Sequence, residues 1–352
     1  MDTADFDYDL PPELIAQHPV EPRDAARLMV CVGAAPPEHA CVADLGRFLR
    51  AGDLLVVNRT RVFPARLDGR KDTGGEVEVL LVQREGDAPD GGERWRAFVR
   101  GRVRVGTCIA IADSVATVSA CDDADRVLDF PRGVAVLALA ERHGHVPLPP
   151  YIRRADEAGD RERYQTVFAD RPGSVAAPTA ALHLTTALID RLVAQGVELA
   201  RVDLAIGPGT FKPVQSERIE DHPIHAERGE CPAETVAAIA RCRARGGRVV
   251  AVGTTVVRTL ESAARQPGGL AAWAGWTRLY LHPPERLRVV DALLTNFHLP
   301  RSTLLMLVSC LTGVDRLLAL YAAAIAERYR FFSYGDAMLI LPQPAEPSVP
   351  AP

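Results

Sequence analysis

Two imidazoles and a carboxylate fall close together in His222-Pro223-Ile224-His225-Ala226-Glu227. His222, His225 and Glu227 could hold a metal ion, or one histidine could act as a general base with the acid orienting it. Pro223 disfavours helical geometry at His222 and so works against a compact ligand set. Ordinary surface histidines are a third reading. Elsewhere the strand-like run Arg248 to Val252 leads into Gly253-Thr254-Thr255 and a helical pattern. Free N–H groups at a helix start, two hydroxyls and a glycine that lets backbone come close suit an anion or a ribose hydroxyl. A tight turn with a threonine cap would look the same. Thr295-Asn296-Phe297-His298-Leu299-Pro300 again gathers polar groups where a strand hands over to a helix that Ser302 can cap. These groups could serve a substrate or simply satisfy loop backbone. Gly207-Pro208-Gly209 lacks the third glycine of a dinucleotide fingerprint and reads equally as a turn. Finally, Arg94, Arg96, Arg100, Arg102 and Arg104 alternate with mostly apolar residues. Period two puts the guanidiniums on one strand face, where a phosphate backbone or plain solvent could meet them.

Such groups need a scaffold, and the chain supplies two textures. Leu54 to Asn58 reads as a buried strand between turn formers. From Phe63 to Pro150 short alternating segments at 76–82, 95–99, 102–105 and 107–112 suggest a small barrel or sandwich, with one helical stretch at 134–141. Beyond the rigid Pro147-Leu148-Pro149-Pro150 linker, helices are expected at 185–195, 233–244, 255–264, 302–312 and 317–328. Strands are expected near 201–206, 248–252, Leu279, Val289 and 337–341. That alternation implies an α/β fold with a mostly parallel sheet. The expected organisation is a discontinuous α/β catalytic domain of 1–62 and 151–341, interrupted by a β-barrel-like domain of 63–150, with a Pro-rich tail at 342–352.

Composition narrows the class. Of 352 residues 47% are apolar and 24% charged, the mix of a globular protein with a substantial core. No apolar stretch reaches the roughly 20 residues that span a bilayer, so no membrane partner is expected. The acidic start lacks the basic-then-apolar order of a secretory signal. Seven scattered cysteines with no Cys-x-x-Cys read as reduced thiols in a cytoplasmic chain, with neither a disulfide frame nor a metal centre. A net charge of −4 neither favours nor excludes nucleic acid, because binding needs only a local patch.

In order along the chain, Phe6-Asp7-Tyr8-Asp9-Leu10-Pro11, Gly52 to Asn58, Pro147 to Ile152, Ala176-Ala177-Pro178-Thr179-Ala180, His222-x-x-His225-x-Glu227, Ala251 to Thr255 with Arg258 and Glu261, Leu294 to Pro300 and Tyr329 to Asp336 resemble the S-adenosylmethionine:tRNA ribosyltransferase-isomerases of queuosine biosynthesis. Ala181 and Ala205 stand where that family carries Gly and His, and Pro284-Glu285 replaces a Gly-aromatic pair. The resemblance implies an enzyme that moves the ribosyl part of S-adenosylmethionine, a cosubstrate rather than a resident cofactor, onto 7-aminomethyl-7-deazaguanine at the wobble position of a tRNA. Epoxyqueuosine, adenine and methionine would result, with no metal. Carried over residue by residue, His225 or His298 would transfer the proton, with Glu227 orienting His225. Gly253, Thr254 and Thr255 would hold the cosubstrate and Arg258 its carboxylate. Thr179, His183 and Asn296 would line the base pocket, with Arg330 and Asp336 closing it, and Arg100, Arg102 and Arg104 would meet the tRNA. A monomer is expected. Two alternatives stay open: a metal-dependent hydrolase built on His222, His225 and Glu227, and a non-catalytic tRNA-binding protein, given Ala205.

Overall fold

The computed structural model describes residues 1–122, 125–207 and 213–343. Most of the Gly207 turn and all but the first two residues of the Pro-rich tail lie outside the described residues. In chain order the elements begin with β1 (Arg27–Val32), β2 (Glu38–Cys41), β3 (Leu54–Asn58), β4 (Thr60–Val62), β5 (Arg66–Lys71) and β6 (Glu76–Asp87). Next come β7 (Glu93–Arg100), β8 (Cys108–Ile111), β9 (Ser114–Asp122), β10 (Asp125–Asp129), α1 (Val136–His143), α2 (Asp160–Arg163) and β11 (Arg171–Ser174). The remainder is α3 (Thr186–Ala194), β12 (Glu198–Leu204), β13 (Glu227–Cys231), α4 (Ala233–Ala244), β14 (Val249–Val252), α5 (Thr254–Ala264), β15 (Trp273–Thr277), β16 (Ala292–Asn296), α6 (Thr303–Thr312), α7 (Val314–Ala326) and β17 (Ala337–Leu341).

Two compact units result. The first, made of 1–58, 178–204 and 212–352, carries a nine-stranded sheet in the order β15-β13-β12-β3-β14-β16-β17-β1-β2. The run β12-β3-β14-β16 is parallel, as the alternation of strands and helices leads one to expect. Every residue of β3, β14 and β16 is buried, which is why these strands read as unbroken apolar runs rather than alternating ones. The sheet as a whole is mixed, since β17 runs against β16 and the pairs β1–β2, β12–β13 and β13–β15 are antiparallel. Among the described residues no single helix is long and apolar enough to cross a membrane.

The second unit, 59–177 with 205–211, is built on a closed barrel, β10-β7-β6-β5-β8-β9. Its core gathers the inward residues of those strands, Leu67, Val79, Leu81, Trp95, Ala97, Ile109 and Val118 among them, and α1 adds Val136 and Leu139. The unit runs on past Pro150, where the sequence reading ends it, because β11 pairs with β4 and Tyr164 and Gln165 line a 160 Å³ cavity with Arg61 to Pro64. The 151–177 stretch, which the sequence reading gives to the α/β domain, thereby belongs with the barrel unit.

Three expected strands fall elsewhere, each for a visible reason. At 102–105 there is a turn: Gly101 sits at φ +136°, and the Arg104 N–H donates to Thr107 Oγ1 instead of to a neighbouring strand. The strand expected near Leu279 ends at Thr277, because the Leu279 N–H bonds Thr277 Oγ1 and its carbonyl takes Arg258 Nε. Val289 and Val290 are not in a strand, since the N–H groups of Arg288, Val289 and Val290 all donate to the fully buried Glu261 carboxylate, and β16 begins only at Ala292.

Candidate active site

Parallel pairing of β14 with β16 puts Gly253 and Asn296 at one end of the sheet, and antiparallel β17 brings Asp336 there as well. Open α/β sheets bind ligands at this carboxyl end. Gly253 holds φ +91°, a region open to glycine, and its N–H is already given to the Leu294 carbonyl at 2.8 Å. It shapes the turn and has no N–H left for a ligand. What remains available lies in the first turns of α5. The Thr254 and Thr255 N–H groups precede any intrahelical acceptor. Thr255 and Arg258, three apart and so on one helix face, are both buried, and Thr255 Oγ1 and Arg258 Nη2 have no hydrogen-bond partner.

Arg258 is held from two sides. Its Nη1 bonds the buried Glu227 carboxylate and its Nε donates to Leu279 O at 3.2 Å. Glu227 therefore serves Arg258, which corrects the expectation that it orients His225. The rival metal trio loses its carboxylate to the same guanidinium, and among the described residues no three His, Cys, Asp or Glu side chains converge as a ligand set. His225 itself is exposed. His222 is half-buried against Tyr280, ring centres 5.8 Å apart, and burial, with His225 nearby, lowers its pKa.

A second group assembles around Asn296. Asn296 accepts from Thr179 Oγ1 at 2.8 Å, and its amide donates to His183 Nε2 at 3.1 Å and to the Phe332 carbonyl at 3.2 Å. The amide donor assigns the acceptor tautomer to His183 Nε2. Burial, with Arg330 and Arg23 nearby, pushes the His183 pKa down to about 4. Phe332 supports this arrangement from φ +70°, an uncommon region for so large a side chain. The loop it belongs to is tight, since a Cβ on Gly335 would lie 2.4 Å from the Arg330 carbonyl. Asp336 ties that loop, accepting the backbone N–H of Arg330 at 2.7 Å and of Arg27 at 3.1 Å. Arg330 Nη2 lies 3.7 Å from the same carboxylate.

His298 is locked in place. Its Nε2 bonds Thr295 Oγ1 at 2.9 Å, its N–H donates to the Tyr321 hydroxyl at 2.9 Å, and the Tyr8 hydroxyl donates to its carbonyl. Burial pushes its pKa down to about 3. Sequence reasoning missed this pair of tyrosine clamps. Tyr321 is the lone polar side chain in the apolar stretch of α7 from Leu317 to Ala326, and that is the signal that could have revealed it.

Two depressed histidines make stability depend on pH. Both rings are neutral in the fold, while the unfolded chain protonates them below about 6.5. Their stabilisation is complete above that value and declines as pH falls towards 4 and 3, by up to about 1.4 kcal/mol per pH unit for each ring. A melting temperature flat from pH 7 to 4 would contradict this; His183→Gln should flatten the slope of the wild type.

Arg100, Arg102 and Arg104 belong to the second unit, at the end of β7 and in the turn after it, all exposed and, among the described residues, without ion pairs. Arg94 and Arg96, earlier in the row, are neutralised across the barrel by Asp129 and by Glu85 and Asp125.

The family of queuosine biosynthesis proteins matches residues 3–340. An S-adenosylmethionine:tRNA ribosyltransferase-isomerase from an Anaeromyxobacter species is 54% identical over 97% of this chain and 99% of its own. One of the same description from Acidithiobacillus ferrooxidans is 56% identical over 97% and 99%. The crystal structure of S-adenosylmethionine tRNA ribosyltransferase from Thermotoga maritima superposes with a TM-score of 0.56 at 39% identity, over 96% of this chain and 100% of that one. With a nine-stranded mixed sheet, a closed barrel and a match over nearly its whole length, this chain belongs to the queuosine biosynthesis family of S-adenosylmethionine:tRNA ribosyltransferase-isomerases.

Proposed function

We propose that this chain transfers the ribosyl part of S-adenosylmethionine to tRNA and isomerises it, the reaction for which its relatives are named. The acceptor is the exocyclic amine of 7-aminomethyl-7-deazaguanine at the wobble position, and the products are epoxyqueuosine-tRNA, adenine and methionine. The supporting observation is the start of α5, where two helix-start N–H groups, Thr255 Oγ1 and Arg258 Nη2 offer buried donors without partners. An Arg258–Glu227 pair suits a zwitterion, and the methionine end of the cosubstrate is one, with its carboxylate at Nη2.

The sulfonium acidifies the ribose C5′ proton. His225 takes that proton, the resulting ylide opens the sugar, and the amine attacks the ribose-derived carbon as adenine and then methionine depart. The Thr179–Asn296–His183 group, walled by the 330–336 loop, receives the extruded base. Arg100, Arg102 and Arg104 contact tRNA phosphates. A monomer working in the cytoplasm belongs to the same proposal.

S-adenosylmethionine labelled in its ribose carbons provides the test. Label should enter tRNA carrying the aminomethyl base, with adenine released, and should not enter unmodified tRNA. Folded protein that binds tRNA but transfers nothing would favour the second reading, a non-catalytic binder, which Ala205 in the family's histidine position supports.

A further inference from the structure

The outer face of β15 carries a side chain that neither the fold nor the candidate site uses. β15 is an edge strand of the large sheet and holds Trp273 and Trp276. Trp273 packs across Gly229 of β13, where an added Cβ would lie 2.9 Å from the indole, so the missing side chain admits the ring. Trp276 projects the other way and is 54% exposed. Directly across the ladder stands Arg228, and Arg278 follows two residues on; both are exposed. Among the described residues neither guanidinium has an ion pair, whereas Glu230, further along the same face, has a partner of its own. Thr277 and Glu227 face α5 through Ser262 and Arg258, so their strand neighbours Trp276 and Arg228 present the opposite face of the sheet.

We propose that Trp276, Arg228 and Arg278 form a stacking platform for an unstacked base of a single-stranded RNA loop, the indole taking the base and the guanidiniums the flanking phosphates. The inference rests on the reading of the chain as a tRNA-modifying enzyme. One aromatic between two unneutralised cations, with only Ala274 as an exposed neighbour on the strand, suits a base and its phosphates. A duplex hides its base faces, so the partner is a loop.

The test compares full-length wild type, Trp276→Ala, Trp276→Phe and the double change Arg228→Ala with Arg278→Ala, using the anticodon stem-loop RNA and intact tRNA. Trp276→Ala should weaken RNA binding by about 5-fold or more and raise KM for tRNA, with KM for S-adenosylmethionine unchanged. Trp276→Phe should bind nearly as wild type, and the double change should lower the salt-dependence slope by about 1.4. In wild type, RNA should quench tryptophan fluorescence. Active wild type with Trp276→Ala binding within about 2-fold of it overturns the platform alone. Sedimentation showing a dimer that Trp276→Ala abolishes would assign this edge to a second copy and overturn it too. Folded wild type that neither binds tRNA nor transfers ribose overturns the functional reading, and the platform with it.

Discussion

Replacing His225 with alanine is expected to cut turnover by about two to four orders of magnitude while leaving tRNA binding intact. The expectation comes from comparing the histidines. His298 is walled in, bonded to Thr295 and depressed to about 3, and His183 is held by Asn296 and depressed to about 4. Rings so reluctant to accept a proton are poor bases towards a carbon acid. His225 is exposed and lies two residues before the carboxylate that anchors Arg258. Single-turnover kinetics with labelled cosubstrate would measure the loss. Near-wild-type turnover in His225→Ala would remove this histidine from the chemistry.

Arg258→Ala should lower stability by about 3–5 kcal/mol, because it removes the guanidinium paired with the buried Glu227 carboxylate. The same change should raise KM for S-adenosylmethionine, since the unpartnered Nη2 goes with it. Combining Arg258→Met with Glu227→Gln separates the two effects: removing both charges should recover most of the stability and none of the affinity. Denaturant titration of the single and double variants decides the matter. A loss below about 1 kcal/mol in Arg258→Ala would show that the pair is solvated rather than buried.

Sequence alone revealed those parts of the fold in which local pattern and tertiary environment agree. β3, α4, α6 and β17 lie where their apolar runs and caps put them, Ser302 included. The misplaced strands share one cause, a side chain that captures backbone hydrogen bonds which periodicity assigns to a strand. Glu261 does this at 288–290 and Thr277 at Leu279, and neither capture leaves a trace in local hydropathy. The site was legible as residue types but not as partnerships. Thr179, His183 and Asn296 are joined by hydrogen bonds, yet Glu227 pairs with Arg258, because the pairing depends on how β13 packs against α5.

The position of β17 constrains how the molecule is made. The last strand in chain order among the described residues lies inside the sheet, between β16 and β1. β1 and β2, which come long before β17 in chain order, have no path into the sheet until β17 is synthesised. Such long-range closure is slow and leaves apolar edges bare meanwhile. The barrel strands, by contrast, lie within 66–129 and can close early during synthesis. Ribosome-bound nascent chains ending before β17 should thus carry a protease-resistant barrel beside a sheet still open to digestion.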